Sequence, residues 1–318
     1  MQQDNPLELV PLGPTDIQIS RLGTGAWAWG DSMFWQYGKA GYDEADIHAA
    51  YQASLAHGIN FFDTAEAYGF GRSEEFLGRF YREAGWPAVI ASKFLPFPWR
   101  LTSRSLLRAL RSSLRRLGLR QVDLYQIHFP LPPVSVESRM DALADAVDAG
   151  LTRAVGVSNY SEEQMRRAHA ALARRGVPQA SNQVEYSLLE RQPETNGLLA
   201  ACRELNVTLI AYSPLAQGLL TGKYTPDNPP SGPRGRRYGR ERLAKIQPLL
   251  GLMKEIGQGH GGKTPAQVAL NWTMAKGTVP IPGAKNGRQA MDNAAAMGWR
   301  LSDDEMAALD AASSRIGP

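Results

Sequence analysis

Apolar positions along this chain recur with two alternating periods. Short runs of β-type composition begin near Leu22, Asn60, Val89, Val122, Ala154, Ser181, Thr208 and Thr278. Longer segments follow them, with apolar residues returning every three to four positions. They span Asp43–His57, Glu74–Ala84, Ser103–Leu117, Val136–Ala149, Ser161–Arg175, Pro193–Asn206, Gln247–Gly257 with Pro265–Lys276, and Gly287–Met297. The first kind reads as buried strands and the second as amphipathic helices. Eight such alternations predict an α/β chain folded as a parallel (β/α)8 barrel, a TIM barrel, with residues 1–318 forming one domain. Ahead of the first run, LELVPLGPTDIQIS holds two short alternating stretches joined at Gly13-Pro14, predicting a β-hairpin that caps the barrel's bottom. Ser302, with Glu305 three residues later, forms a capping box and predicts an additional C-terminal helix over Asp303–Ala312.

The competing fold is a doubly wound sheet, whose mark is G-x-G-x-x-G opening a helix after the first strand. Here that turn reads Gly23-Thr24-Gly25-Ala26-Trp27-Ala28-Trp29-Gly30, with the third glycine misplaced and no helix directly after it. One long segment, Gly222–Gly239, is rich in proline and glycine. Loops of that length are usually functional or disordered. Its place after the seventh strand puts it over the barrel mouth, which suits a cofactor-covering loop.

Composition narrows the picture modestly. Hydrophobic residues are 43% of the chain, enough for a large core, and the formal charge of +4 suits a surface with a slight basic excess. Nucleic-acid binding would need a clustered basic face with interleaved aromatics. The one cluster present, Arg234, Arg236, Arg237, Arg240 and Arg242, lacks the aromatics and reads first as a solvated loop leading into a helix. The single cysteine, Cys202, excludes an intrachain disulfide and a cysteine-based metal cluster; no metal is expected. The start MQQDNPLELV is not secretion-signal-like, and no run of about 18 apolar residues appears, so a cytoplasmic location is expected.

Candidate chemistry sits at strand ends. The second run ends Phe61-Phe62-Asp63-Thr64-Ala65-Glu66-Ala67-Tyr68, the third Ala91-Ser92-Lys93 and the fourth Tyr125-Gln126-Ile127-His128. Parallel strands bring these ends to one mouth. A carbonyl takes hydride more readily when its oxygen receives a proton. Tyrosine is a weak acid for that task, with a pKa of about 10, and a neighbouring ammonium lowers it. Lys93 would supply the charge, Asp63 would hold Lys93, and His128 would orient the carbonyl oxygen. Tyr68 would then be general acid in reduction and general base in oxidation. Singly, each residue has a structural account as a buried ion pair, a satisfied histidine or a rim tyrosine. Four at the ends of three successive strands favour function.

GINFFDTAEAYGFGRSEEFLG resembles the aldo-keto reductase signature. VDLYQIH, AVGVSNYS, SNQVEYSLLER, AYSPLAQGLLTGKY and VPIPGAKN are similar to further motifs of that family, in order and over nearly the whole chain. The resemblance implies that Asp63, Tyr68, Lys93 and His128 are the catalytic tetrad and that NADP(H) is the cofactor. It implies that the nicotinamide stacks on Tyr212 near Ala26, Trp27 and Asp63, with its carboxamide held by Ser158, Asn159 and Gln183. The pyrophosphate would lie along Ser213, Pro214, Leu215, Gln217, Gly218 and Leu219, with Lys223 nearby. The adenosine 2′-phosphate would meet Gly283, Ala284 and Lys285, with Gln289 and Asn293 on the following helix. Gln289 stands where relatives often carry arginine, and Ala284 replaces a frequent serine, which leaves room for some use of NADH. Arg234 would clamp the phosphates on loop closure.

The first strand–helix loop is aromatic, with Trp27, Trp29, Phe34, Trp35 and Tyr37, and a second such segment runs Phe94-Leu95-Pro96-Phe97-Pro98-Trp99-Arg100. Trp27, Trp29, Trp35, Phe94, Trp99 and Phe129 are the expected substrate pocket. Arg100 is either an anchor for an anionic substrate or half of a salt bridge. GAWAWGDSMFWQYG and FPWRLTS are similar to the branch containing plant-chloroplast and cyanobacterial-type enzymes and pyridoxal reductase, which makes a flat, hydroxylated aldehyde one candidate. The expected partner is a small-molecule carbonyl substrate, with no nucleic acid and no membrane; a monomer is compatible with the sequence. The alternative is a cofactor-sensing regulatory protein with little turnover, like the potassium-channel β-subunits that share the fold. Those lack the tetrad histidine, so His128 favours the enzyme.

Overall fold

The two short N-terminal stretches pair as expected. In the computed structural model, which describes residues 8–85, 88–230 and 238–316, β1 (Leu9–Pro11) and β2 (Gln18–Ser20) form an antiparallel hairpin, Val10 opposite Ile19. Then come β3 (Thr24–Gly25), α1 (Glu44–Ala56), β4 (Phe61–Asp63), α2 (Arg72–Ala84), β5 (Val89–Phe94), α3 (Ser103–Leu117), β6 (Val122–Ile127) and α4 (Val136–Asp148). They are followed by β7 (Thr152–Ser158), α5 (Glu162–Arg174), β8 (Gln179–Glu185), α6 (Gln192–Thr195), α7 (Leu198–Glu204) and β9 (Thr208–Tyr212). The chain ends with α8 (Arg240–Gly259), α9 (Pro265–Ala275), β10 (Val279–Pro280), α10 (Gly287–Ala294) and α11 (Asp303–Ser314). Strands β3 to β10 form one parallel sheet in sequence order. It curls shut through backbone bonds from Gly23 N to Pro280 O (2.9 Å) and Gly25 N to Pro282 O (3.1 Å), with a bridge between Gly25 and Gly283. Among the described residues no helix is long and apolar enough to cross a membrane.

Side-chain alternation along these strands builds two apolar layers. Phe61, Ala91, Leu124, Ala154, Ala180, Ile210 and Val279 fill the barrel interior, and Leu12, Ile17 and Ile19 of the hairpin segment join that cluster, so the hairpin plugs the barrel's base. Residues of opposite parity, such as Phe62, Ile90 and Phe94, pack outward into the helix layer.

Two helices depart from the expected bounds. The helix expected over Pro193–Asn206 breaks at Gly197, whose φ of +84° suits glycine and ends one helix to start another. The helix expected to begin at Gln247 starts at Arg240 and runs through Pro248. Proline removes one ladder donor there. The buried stripe Leu243, Ile246, Leu249, Leu250, Met253 and Ile256 outweighs that loss.

Helices α2 and α3 meet where Gly78 faces the C-terminal turn of α3. A Cβ at Gly78 would fall inside the contact radius of the Leu117 carbonyl, which cannot swing away as a side chain would. Gly78→Ala is therefore expected to destabilise by about 1–3 kcal/mol despite alanine's better helix propensity, read as a lowered midpoint in thermal unfolding.

Candidate active site

Asp63 ends β4, Lys93 is the penultimate residue of β5, and His128 directly follows β6. Tyr68 opens a short 3-10 turn after β4. The Lys93 ammonium donates to Asp63 Oδ1 (2.5 Å), the Thr64 carbonyl (3.0 Å) and the Tyr68 hydroxyl (3.2 Å), which uses all three of its donors. Asp63 and Lys93 are fully buried. The other carboxylate oxygen of Asp63 accepts from Gln183 Nε2 (2.8 Å) and at longer range from Gln126 Nε2 (3.5 Å). Gln126 is itself fixed by Ser181 Oγ at 3.1 Å. The His128 imidazole meets the Tyr68 ring edge-on at 5.7 Å and stacks on Phe129 at 4.7 Å. The four groups singled out in the sequence thus share one cluster. Gln126 was missed, although its spacing of two from His128 puts both on the inner face of β6.

Burial lowers the Lys93 pKa, but Asp63 and then Tyr68 outweigh it, and the ammonium holds its proton beyond the ordinary range. A neighbouring ammonium alone predicts a lowered pKa for Tyr68. Burial instead pushes it above the usual tyrosine value, against the downward pull of Lys93 and with Asp63 adding to the rise. The resting group is a neutral phenol, the form an acid needs. Burial, helped by Lys93, pushes His128 down to about 3, so its imidazole is neutral near pH 7.

That depressed value has a measurable sign. Between the unfolded value near 6.5 and about 3, the unfolded chain binds a proton at His128 that the folded chain refuses. Stability from this group is complete above pH 6.5 and drains away as pH falls. Thermal midpoints should therefore drop below pH 6.5 in the native chain and less steeply in His128→Gln, while kcat between pH 5 and 8 shows no histidine step.

A profile described as the Aldo/keto reductase family matches residues 21–314. The chain belongs to the aldo/keto reductase family. It is 42% identical to the chloroplastic pyridoxal reductase of Arabidopsis thaliana, over 96% of this chain and 86% of that protein. It is 35% identical to aldo-keto reductase yakc [NADP(+)] of Schizosaccharomyces pombe, over 83% of this chain and 84% of the relative. A solved aldo/keto reductase from Klebsiella pneumoniae, in complex with NADP and acetate, superposes with a TM-score of 0.75 at 29% identity, covering 95% of this chain and 94% of that one.

In this reductase Ser158, Asn159, Gln183 and Tyr212, four of the groups assigned to a cofactor by sequence, form one connected rim. Ser158 Oγ donates to the Gln183 carbonyl (2.9 Å). Asn159 Nδ2 donates to the His128 carbonyl (3.0 Å) and Ser158 Oγ (3.1 Å), and Tyr212 donates its hydroxyl to Asn159 Oδ1 (3.0 Å). Gln183 spends its amide on Asp63, so it braces the ion pair as well as edging the rim. After Tyr212 the backbone is left-handed at Ser213 (φ +51°), Ala216 (φ +47°), Gln217 (φ +55°) and Gly218 (φ +97°). Three such non-glycine residues close together are strain of the kind found at ligand clamps. Pro214 is buried in this segment and Leu219 anchors it to the core, while Leu215 is half-buried; Lys223 lies against Gly218. Ala26 is buried, its N–H donating to the Asp63 carbonyl (2.8 Å). In the Gly283–Asn293 stretch, Asn286 caps α10 by accepting from Gln289 N (3.0 Å), Gln289 accepts from Lys285 N (2.8 Å), and Asn293 donates to the Gly283 carbonyl (3.4 Å). Arg234, with Arg236 and Arg237, lies outside the described residues; Arg240 and Arg242 open α8.

The expected aromatic pocket needs correction. Trp27 stands on the rim, its ring 6.1 Å from Tyr68, and Trp35 packs edge-on against it at 5.5 Å. Phe129 is partly exposed beside His128, and Trp99 is 73% exposed and stacked on Phe97. Trp29 and Phe94 line no pocket. Trp29 is buried in the helix layer against Phe62 and Phe80, donating to the Ala284 carbonyl (2.8 Å). Phe94 points outward because Lys93 points inward, and the Arg100 and Arg139 guanidinium groups flank its ring. Arg100 is the salt-bridge case, bound to Glu66 and the Leu95 carbonyl. Asp31, unnoticed in the sequence, holds the aromatic loop by accepting from Phe34 N (2.7 Å) and Trp27 Nε1 (3.1 Å).

Proposed function

We propose that this chain reduces an aldehyde or ketone to an alcohol with NADPH, Tyr68 giving the proton. The supporting observation is the charged lysine 3.2 Å from a neutral, half-buried phenol, the lysine locked there by Asp63. The residues present suit the cofactor. Hydroxyl and amide groups of Ser158, Asn159 and Gln183 match a carboxamide, the strained Ser213–Gly218 backbone suits a diphosphate, and Lys285 beside the capped start of α10 suits a phosphate. Held along these residues, NADPH supplies hydride to the carbonyl carbon. Tyr68 passes its hydroxyl proton to the carbonyl oxygen, and Lys93 steadies the phenolate left behind. Asp63, braced by Gln183 and Gln126, keeps Lys93 charged and aimed. The neutral His128 offers a ring N–H to the same oxygen.

The substrate reading is a flat aromatic aldehyde of the pyridoxal kind. The similarity to pyridoxal reductase and the rim of Trp27, Tyr68, His128 and Phe129 support it. The pairing of Arg100 with Glu66 removes one anchor for a charged substituent, which favours pyridoxal over its 5′-phosphate. Loss of reduced-cofactor absorbance with pyridoxal, pyridoxal 5′-phosphate and 4-nitrobenzaldehyde tests both readings. Tight NADPH binding with no turnover of any aldehyde would replace the enzyme reading with a cofactor sensor. A higher kcat/KM for the phosphorylated aldehyde would sink the substrate preference.

A further inference from the structure

Lys285 Nζ lies 4.8 Å from the centroid of the Trp35 ring and 4.4 Å from that of Tyr42. We propose that Trp35 and Tyr42 are specificity-determining residues: their rings preset the Lys285 ammonium for the 2′-phosphate of NADPH and do nothing for NADH. The inference rests on the cofactor reading above and adds to it which residues of the first strand–helix loop decide between the two dinucleotides.

Both rings are held from behind. Tyr42 is nearly buried, donates its hydroxyl to the Ala28 carbonyl (2.8 Å) and immediately precedes Asp43, the N-cap of α1. Helix α1 packs closely on α10, with Gly287 against the Ala49 backbone. Trp35 is half-buried and wedged edge-on between Trp27 (5.5 Å) and Phe34 (5.2 Å). On the opposite side, Lys285 N is fixed by Gln289 and the Ala284 carbonyl by Trp29 Nε1. The loop and the start of α10 are therefore clamped together on either side of one ammonium.

Aromatic faces suit this task because they restrain a lysine without cancelling its charge. A carboxylate in the same place would restrain it equally and neutralise the field that a phosphate needs. Without a restraint, a flexible lysine stem must be ordered when the phosphate arrives. With Gln289 where many relatives carry arginine, an ordered Lys285 takes on more of the discrimination.

The test is isothermal titration calorimetry of NADPH, NADH and 2′,5′-ADP with the full chain and Trp35→Leu, Trp35→Phe and Lys285→Met. Trp35→Leu should weaken NADPH and 2′,5′-ADP about 2- to 30-fold, the range of one cation–π contact, and leave NADH within about twofold. Trp35→Phe should recover most of the loss. In the Lys285→Met background, Trp35→Leu should have no further effect, because the two act as a unit. Equal weakening of NADPH and NADH would mean that Trp35 only shapes the loop. Tighter or unchanged NADPH binding would mean that the rings compete with the phosphate or play no part. Each of these overturns the proposal while the cofactor reading stands. Failure of the native chain to bind either dinucleotide would overturn both.

Discussion

Tyr68→Phe should lower kcat for aldehyde reduction by about 10²–10⁴-fold, the usual contribution of a positioned proton donor. The ring remains, so its packing against Trp27 and His128 is kept, and only the hydroxyl 3.2 Å from Lys93 is lost. NADPH binding, measured by titration, should change by less than about twofold, because the residues assigned to the dinucleotide make no contact through that oxygen. A kcat within tenfold of the native value would show that the proton comes from elsewhere, with His128 the next donor to consider.

Lys93→Met should be the most destabilising single substitution in the site. It strands the Asp63 carboxylate, fully buried, with only the amides of Gln183 and Gln126 for company. Removing one partner of such a pair costs about 3–5 kcal/mol, because the remaining charge has lost its counterion in a dry interior. The cost should appear as a lower denaturant midpoint with an unchanged slope. Asp63→Asn combined with Lys93→Met removes both charges and should recover part of the stability. Neither variant should turn over, since the phenol has lost the charge that offsets burial. If the single variant unfolds at the native midpoint, the pair is not buried as described.

The eight strand–helix alternations and the hairpin were legible because burial on both strand faces and on one helix face leaves periodic apolar signals. The cluster of Asp63, Tyr68, Lys93 and His128 was legible for a topological reason: parallel strands deliver their ends to one place. The sequence spoke less clearly where tertiary environment decides. Counting aromatics put Trp29 and Phe94 in the pocket, whereas the parity of Lys93 already sends Phe94 outward. The direction of the Tyr68 pKa depends on how much burial opposes Lys93, and no residue pattern encodes that balance. The helix through Pro248 needed knowledge of how much apolar surface it covers. Gln183 looked like a cofactor contact, and only its 2.8 Å bond to Asp63 reveals a second duty.

The sealed base leaves the barrel with one working end. Leu12, Ile17 and Ile19 close the bottom and the strand side chains above them fill the interior, so a molecule reaching Asp63, Tyr68, Lys93 and His128 has only the upper rim to land on. Under the NADPH reading, cofactor and aldehyde would both arrive and depart over that same rim.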